Sequence, residues 1–151
     1  MKKVALALLM AASGCMLLPA CTKSSSNPAK SLSATIGGVS VTWQNIITTD
    51  STGFVGINGT NTTGTTQKSL TFLLESYNNK TGVYPIGTSS GGTYSDLYYN
   101  DDTKTYLGVS GSAVVTTATS KSAIGTFTAV LISAAKDTIQ ITDGKFSTYW
   151  Q

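Results

Sequence analysis

The 151-residue chain contains no histidine and no arginine. Without an imidazole there is no Ser-His-Asp or Cys-His relay and no histidine-held metal. Without a guanidinium there is no planar fork for phosphates or guanine edges, which sets the chain apart from nucleic-acid binders. Cysteine is nearly missing too: Cys15 and Cys21 are the two, both close to the N-terminus. Charge is sparse at 11% of residues, and Glu75 is the one glutamate. Acid–base and nucleophilic catalysis recruit histidine, cysteine or a perturbed carboxylate or lysine. A hydrolase would have to be built from carboxyl groups alone, about 5–10 Å apart as in glycosidases. Its acids would be mostly aspartates in turn-like segments. These absences point to a protein without an enzymatic centre, needing neither metal nor cofactor.

The N-terminus has the three parts of an export signal. Met1-Lys2-Lys3 is basic and Val4 to Ala12 is an uncharged apolar run. That run is too short to span a bilayer, which takes about 20 apolar residues. Leu17-Leu18-Pro19-Ala20-Cys21 then resembles the lipobox read by lipoprotein signal peptidase. The rival is Cys15 after Ala12-Ser13-Gly14, which lacks a large aliphatic residue three positions upstream. The expected organisation is a signal peptide over 1–20, a lipidated Cys21 with a polar tether to residue 30, and one domain over 31–151. Cys15 then leaves with the signal and Cys21 carries lipid, so the domain has no thiol or disulfide. Without Lys2 and Lys3, eight lysines face seven acidic residues, a net of +1. The tether, Thr22 to Lys30, is Ser-rich with nothing to bury, and it holds the domain off the membrane. Its first residues carry no acid, and the first acidic residue is Asp50. Some bacterial lipoproteins exported to the cell surface carry acids there. The expected address is therefore the outer membrane, with the domain facing the periplasm and the cell surface as the alternative.

From Ser31 the pattern has period two, as in strands with one buried face. Leu32, Ala34 and Ile36 alternate with polar residues, as do Val39, Val41 and Trp43 beyond Gly37-Gly38. If Gly37-Gly38 is a two-residue hairpin loop, Ile36 pairs with Val39, Ala34 with Val41 and Leu32 with Trp43. Further strands are expected at 54–60, 70–74, 82–86, 93–99, 106–109, 113–118, 123–132 and 138–148. Asn61 to Gln67 reads as a loop, and Pro85 marks an edge strand or strand end. Phe127, Ala129 and Leu131 share an inward face. Asp143-Gly144 is expected to form a bulge that turns Phe146 inward. The fold class is all-β: a single antiparallel β-sandwich or partly open barrel of about nine or ten short strands.

Several of these pieces together resemble a family of small Bacteroidota lipoproteins of unknown function. They are Ala34-Thr35-Ile36-Gly37-Gly38 with Trp43, Gly82-Val83-Tyr84, Gly125-Thr126-Phe127-Thr128-Ala129 and Ile141-Thr142-Asp143-Gly144-Lys145-Phe146. The resemblance implies a single β domain on a lipid anchor and carries over no activity.

Four constellations call for structural placement. Tyr94, Tyr98, Tyr99 and Tyr106 flank one hairpin and could offer aromatic faces to a glycan or protein partner, or could pair within the sheet. Asp96, Asn100, Asp101 and Asp102 are closely spaced oxygen donors, but they lack the glycine and terminal glutamate of an EF-hand loop and read as a solvated turn. Ser133-Ala134-Ala135-Lys136 and Lys80-Thr81-Gly82 match motifs of penicillin-binding enzymes. Here they come in the wrong order, and both read as turns. Asp50-Ser51-Thr52 and Asp137-Thr138-Ile139 resemble the acceptor triplet of Bacteroidota O-glycosylation, making Ser51 and Thr138 candidate acceptors. The partners expected are the membrane through Cys21 and a protein or glycan whose identity the residues do not specify. No nucleic acid is expected.

Cys21→Ala should abolish both lipid labelling and signal-peptide removal. Lipidation persisting through Cys15 would contradict the assignment. Protease added to intact cells should leave the wild-type domain uncut if it faces the periplasm.

Overall fold

The computed structural model describes residues 29–87 and 94–151. The signal peptide, Cys15, Cys21 and most of the tether lie outside the described residues. Ten strands form one antiparallel sheet: β1 (Ser31–Ile36), β2 (Val39–Trp43), β3 (Asn45–Ser51), β4 (Phe54–Thr63), β5 (Thr66–Glu75), β6 (Gly82–Pro85), β7 (Tyr94–Asn100), β8 (Thr105–Thr119), β9 (Ser122–Ser133) and β10 (Thr138–Tyr149). Their spatial order is β2-β1-β10-β9-β8-β7-β5-β4-β3, with β6 attached to β8 off that path. There is no helix among the described residues.

The first hairpin has the expected register: Leu32 opposite Trp43, Ala34 opposite Val41, Ile36 opposite Val39. Gly37 and Gly38 take φ of 55° and 85°, the doubly positive turn that matches the twist of the flanking strands. Leu32, Ala34, Ile36 and Trp43 are buried, whereas Val39 is 66% exposed because β2 has no ladder partner on its other side. The late bulge also forms. The β9–β10 register shifts between Ile141 and Gly144, Asp143 adopts a φ of 51°, and Phe146 is buried. Phe127, Ala129 and Leu131 all face inward. Pro85 ends β6, which pairs with β8 alone.

Three strand boundaries differ from expectation. β3 was not foreseen: its Ile46-Ile47 doublet breaks the alternation, with Ile46 half-buried and Ile47 64% exposed. The expected loop over 61–67 is instead the tip of the β4–β5 hairpin, closed by Thr63 opposite Thr66. Its polar residues belong to strands that outrun the core, where no face has to be apolar. The segments 106–109 and 113–118 merge into the 15-residue β8, whose register shifts at two bulges let it pass the polar Ser110-Gly111-Ser112 stretch.

Closure of the sheet follows from one junction. β2 and β3 sit at opposite ends of the strand order, yet only Gln44 separates them in sequence. The chain itself therefore carries one edge of the sheet to the other, and the result is a nearly closed barrel. Asn61 of β4 stitches this corner: its Oδ1 accepts the Gln44 N–H at 3.0 Å and its Nδ2 donates to the Thr42 carbonyl at 2.8 Å. Farther along β3 the Thr48 and Thr148 hydroxyls hydrogen-bond across to β10. Inside, the Phe72 ring stacks on Phe127 at 5.3 Å between centroids and meets Phe146 at 5.4 Å. Leu32, Ile57, Leu70 and Leu131 fill the space around them. Burying each such side chain contributes about 1.5–3 kcal/mol.

Gly59 is where β4 and Trp43 meet without a ladder between them. A Cβ there would lie 2.7 Å from Trp43 Cβ and Cγ, and 2.8 Å from Leu32 Cδ2. Gly59→Val should therefore destabilise the barrel by about 1–3 kcal/mol or more through overpacking, read as a lower urea midpoint. An unchanged midpoint would mean that the β2–β4 corner is loose.

Candidate functional site

The four-tyrosine surface does not form. Successive strand residues point to opposite faces, so Tyr98 and Tyr99 cannot share one. Tyr99 and Tyr106 face inward as a cross-strand pair, buried, with ring centroids 6.2 Å apart. Burial pushes the Tyr99 hydroxyl up, reinforced by Asp101 and Tyr106. Tyr98 is 39% exposed on the outer wall beside its partner Leu107. Tyr94 opens β7 opposite Glu75, and its side chain lies outside the described residues. The hairpin offers one described outward ring.

The aspartate cluster divides: Asp96 lies within β7 opposite Leu73, Asp102 accepts the Gln67 N–H, and Asp101 and Asn100 serve their own turn. Asp101 Oδ1 accepts the N–H groups of Thr103 and Lys104 and the Thr103 hydroxyl. Asn100 Oδ1 accepts the Asp102 N–H. Partial burial alone would raise the Asp101 carboxyl, but these donors together with nearby Lys68 hold it below the usual carboxylate range. Among the described residues no group of three or more acidic side chains is placed to hold a metal ion.

The two penicillin-binding motifs lie at opposite ends of the barrel. Ser133 caps the β9–β10 turn by accepting the Asp137 N–H, and Lys136 in that turn has φ of 69°. Lys80 precedes β6 at the other end, its carbonyl 2.8 Å from the Tyr84 hydroxyl. The candidate acceptors are both exposed: Ser51 ends β3 and Thr138 opens β10. Beside Thr138, the Asp137 carboxylate pairs with Lys104 and ties the β7–β8 turn to the β9–β10 turn.

A depression of about 460 Å³ lies at the Lys80 end. Asp50, Ser51, Phe54, Asn78, Asn79 and Ser120 form its rim, with Tyr77 beneath. Three aromatic residues brace this end. Tyr77 donates its hydroxyl to the Ser122 carbonyl at 2.9 Å and its N–H to the Gly53 carbonyl at 3.1 Å. Trp150 meets the Tyr77 ring edge-on at 5.9 Å, and its N–H reaches the Lys121 carbonyl at 3.0 Å. The Tyr84 hydroxyl approaches the carbonyls of Tyr77 and Lys80. The rim offers amides, hydroxyls, one carboxylate and the half-buried face of Phe54, a set of hydrogen-bond donors and acceptors beside one aromatic face. Sequence reasoning passed over Tyr77 and singled out Asp50 and Ser51 of this rim only as part of an acceptor triplet. The depression gathers three loops distant in sequence, and no local pattern announces that.

No family model matches the chain, and neither a curated protein nor a solved structure matches it.

Burial, with smaller contributions from Tyr84 and Asp50, pushes the Tyr77 hydroxyl from 10.0 up to about 12. Folding favours its protonated form. That contribution is complete below pH 10, the unfolded value, and is lost as pH rises towards about 12. Tyr77→Phe should cost roughly 0.5–1.5 kcal/mol at neutral pH through the lost hydrogen bond. The stability gap to wild type should then shrink between pH 10 and 12 in urea titrations. A gap that stays constant across that range would contradict a buried, protonated Tyr77.

Proposed function

We propose that this chain is a lipid-anchored cell-envelope protein, held through Cys21, whose barrel is a non-enzymatic binding or structural accessory module. One observation carries the reading of the barrel. Its interior is packed with Phe72, Phe127, Phe146 and their aliphatic neighbours. A barrel of this size either fills its interior with side chains or encloses one small ligand. A filled one recognises partners on its outside. The lipobox-like Leu18-Pro19-Ala20-Cys21 and the polar tether support the anchor, and the acid-free start of the tether supports a periplasm-facing domain at the outer membrane.

A second reading, a glycan- or partner-binding module, is favoured by the rim of Asp50, Ser51, Asn78, Asn79 and Phe54 rather than by the tyrosine hairpin. A carboxylate-based hydrolase is the least supported. A glycosidase works with two carboxyl groups, and the rim holds Asp50 alone.

A thermal-shift screen of the full-length lipidated protein against envelope oligosaccharides tests the binding readings. Only a ligand that prefers the folded state raises the melting temperature. A saturable rise of several degrees, lost in Asn78→Gly/Asn79→Gly, would place binding on the rim. Glycine keeps their positive φ of 41° and 56° without the amides. Hydrolysis of a screened glycan that disappears in Asp50→Asn would overturn the non-enzymatic reading.

A further inference from the structure

The path of the chain decides which end of the barrel lies nearest the anchor. β1 enters at Ser31, opposite Ser147 near the end of β10. In an up-and-down sheet every second turn falls at the same end. The near end therefore gathers Thr52-Gly53 between β3 and β4, residues 76–81 after β5, Ser120-Lys121 between β8 and β9, and the Trp150-Gln151 terminus. The far end gathers Gly37-Gly38, Gly64-Thr65, Asp101 to Lys104, and Ala134 to Asp137.

Residues 22–30 separate Cys21 from Ser31, nine in all. Nine residues reach at most about 30 Å when pulled straight. β9 has 12 residues, or about 40 Å along the strand. Strands in such barrels tilt by about 35–45°, leaving a height of roughly 30 Å. The near end, where β1 enters at Ser31, is thus the end closest to the anchor along the chain. The far end touches the membrane only if the tether runs straight along the barrel wall. Charge points the same way. Sorted by strand halves, the near half holds Lys30, Lys80, Lys121 and Lys145 against Asp50, Glu75 and Asp96, and the far half holds Lys68, Lys104 and Lys136 against Asp101, Asp102, Asp137 and Asp143, a net of +1 against −1. Lys80 and Lys121 are exposed, and Lys30 lies with its ammonium 5.0 Å from the Tyr149 ring centroid.

We propose that the near end of the barrel docks on the anionic headgroups of the membrane that holds the anchor, leaving the far-end turns as the face presented to partners. This orientation rests on the lipid-anchored reading above; it replaces the expectation of a tether that holds the domain off the membrane, and it excludes the rim as a site for soluble glycans. Under it, Ser51 and the polar rim face the headgroups, and Thr138 faces away.

The test uses the full-length lipidated protein in vesicles of phosphatidylethanolamine and phosphatidylglycerol. Single thiols are introduced by Ser120→Cys at the near end, Thr126→Cys on the outer wall and Thr65→Cys at the far end. Each is labelled with an environment-sensitive fluorophore, and quenching by headgroup-spin-labelled lipid is read. Quenching several-fold stronger at position 120 than at 65, with 126 between them, is expected. Lys80→Gln/Lys121→Gln should reduce quenching at 120. Equal quenching at all three positions, or the strongest at 126 or 65, overturns the orientation. Full quenching at 120 in the double lysine variant overturns docking through charge. Flotation and N-terminal mass are measured on the same sample. Protein that is acylated and floats but shows no quenching gradient defeats the orientation alone. Protein that is neither acylated nor membrane-bound defeats the anchor, and the orientation with it.

Discussion

A sheet with two free edges exposes two rows of unpaired N–H and C=O groups, an invitation to edge-to-edge association. This barrel limits that exposure with a one-residue corner. Gln44 lets the chain pass from β2, paired with β1, into β3, paired with β4. The two halves pair in opposite directions around the ring, so the chain carries closure past the place where the ladder stops. Asn61 supplies both the donor and the acceptor that the corner's backbone needs. The Phe72–Phe127–Phe146 cluster depends on this closure, because an open sheet would leave its rings facing water.

The filled interior moves recognition outward and makes the two ends different objects. The near end is braced by Tyr77 and Tyr84, whose hydroxyls bind carbonyls, and by Trp150, whose ring packs on Tyr77 and whose backbone N–H binds the Lys121 carbonyl. Such bonds hold the loops that carry the rim. The far end is braced by polar contacts at the surface: the Lys104–Asp137 pair and the Asp101 turn. An ion pair between side chains about half exposed is screened by water and salt. These far-end turns are therefore held mainly by hydrogen bonds within each turn, from the backbone and from the Asp101 and Ser133 side chains.

Where the chain states two agreeing signals, the fold was legible. The first hairpin combines alternation on both arms with glycines that satisfy positive φ. The Asp143-Gly144 bulge was readable as a change of phase between Ile141 and Phe146. β3 was missed because a strand at the seam buries neither face fully, and its Ile46-Ile47 doublet reflects that. The hairpin tip over 61–67 was missed because polar strands look like loops. The tyrosine surface failed on a point already present in the sequence: adjacent Tyr98 and Tyr99 must diverge on a strand.

The sequence alone determined the all-β class, the faces of the regular strands, the register of the first hairpin and the lack of a thiol beyond Cys21. These are local properties, set by side-chain period and turn geometry within a few residues. Only the tertiary structure decided that the sheet bends round to meet itself, which tyrosines become core, and which loops share an end. The Tyr77–Ser122 bond spans 45 residues and the Thr48–Thr148 bond spans 100. A period-two pattern says which way a side chain faces. It does not say which strand will be its neighbour, because that depends on packing the whole chain at once.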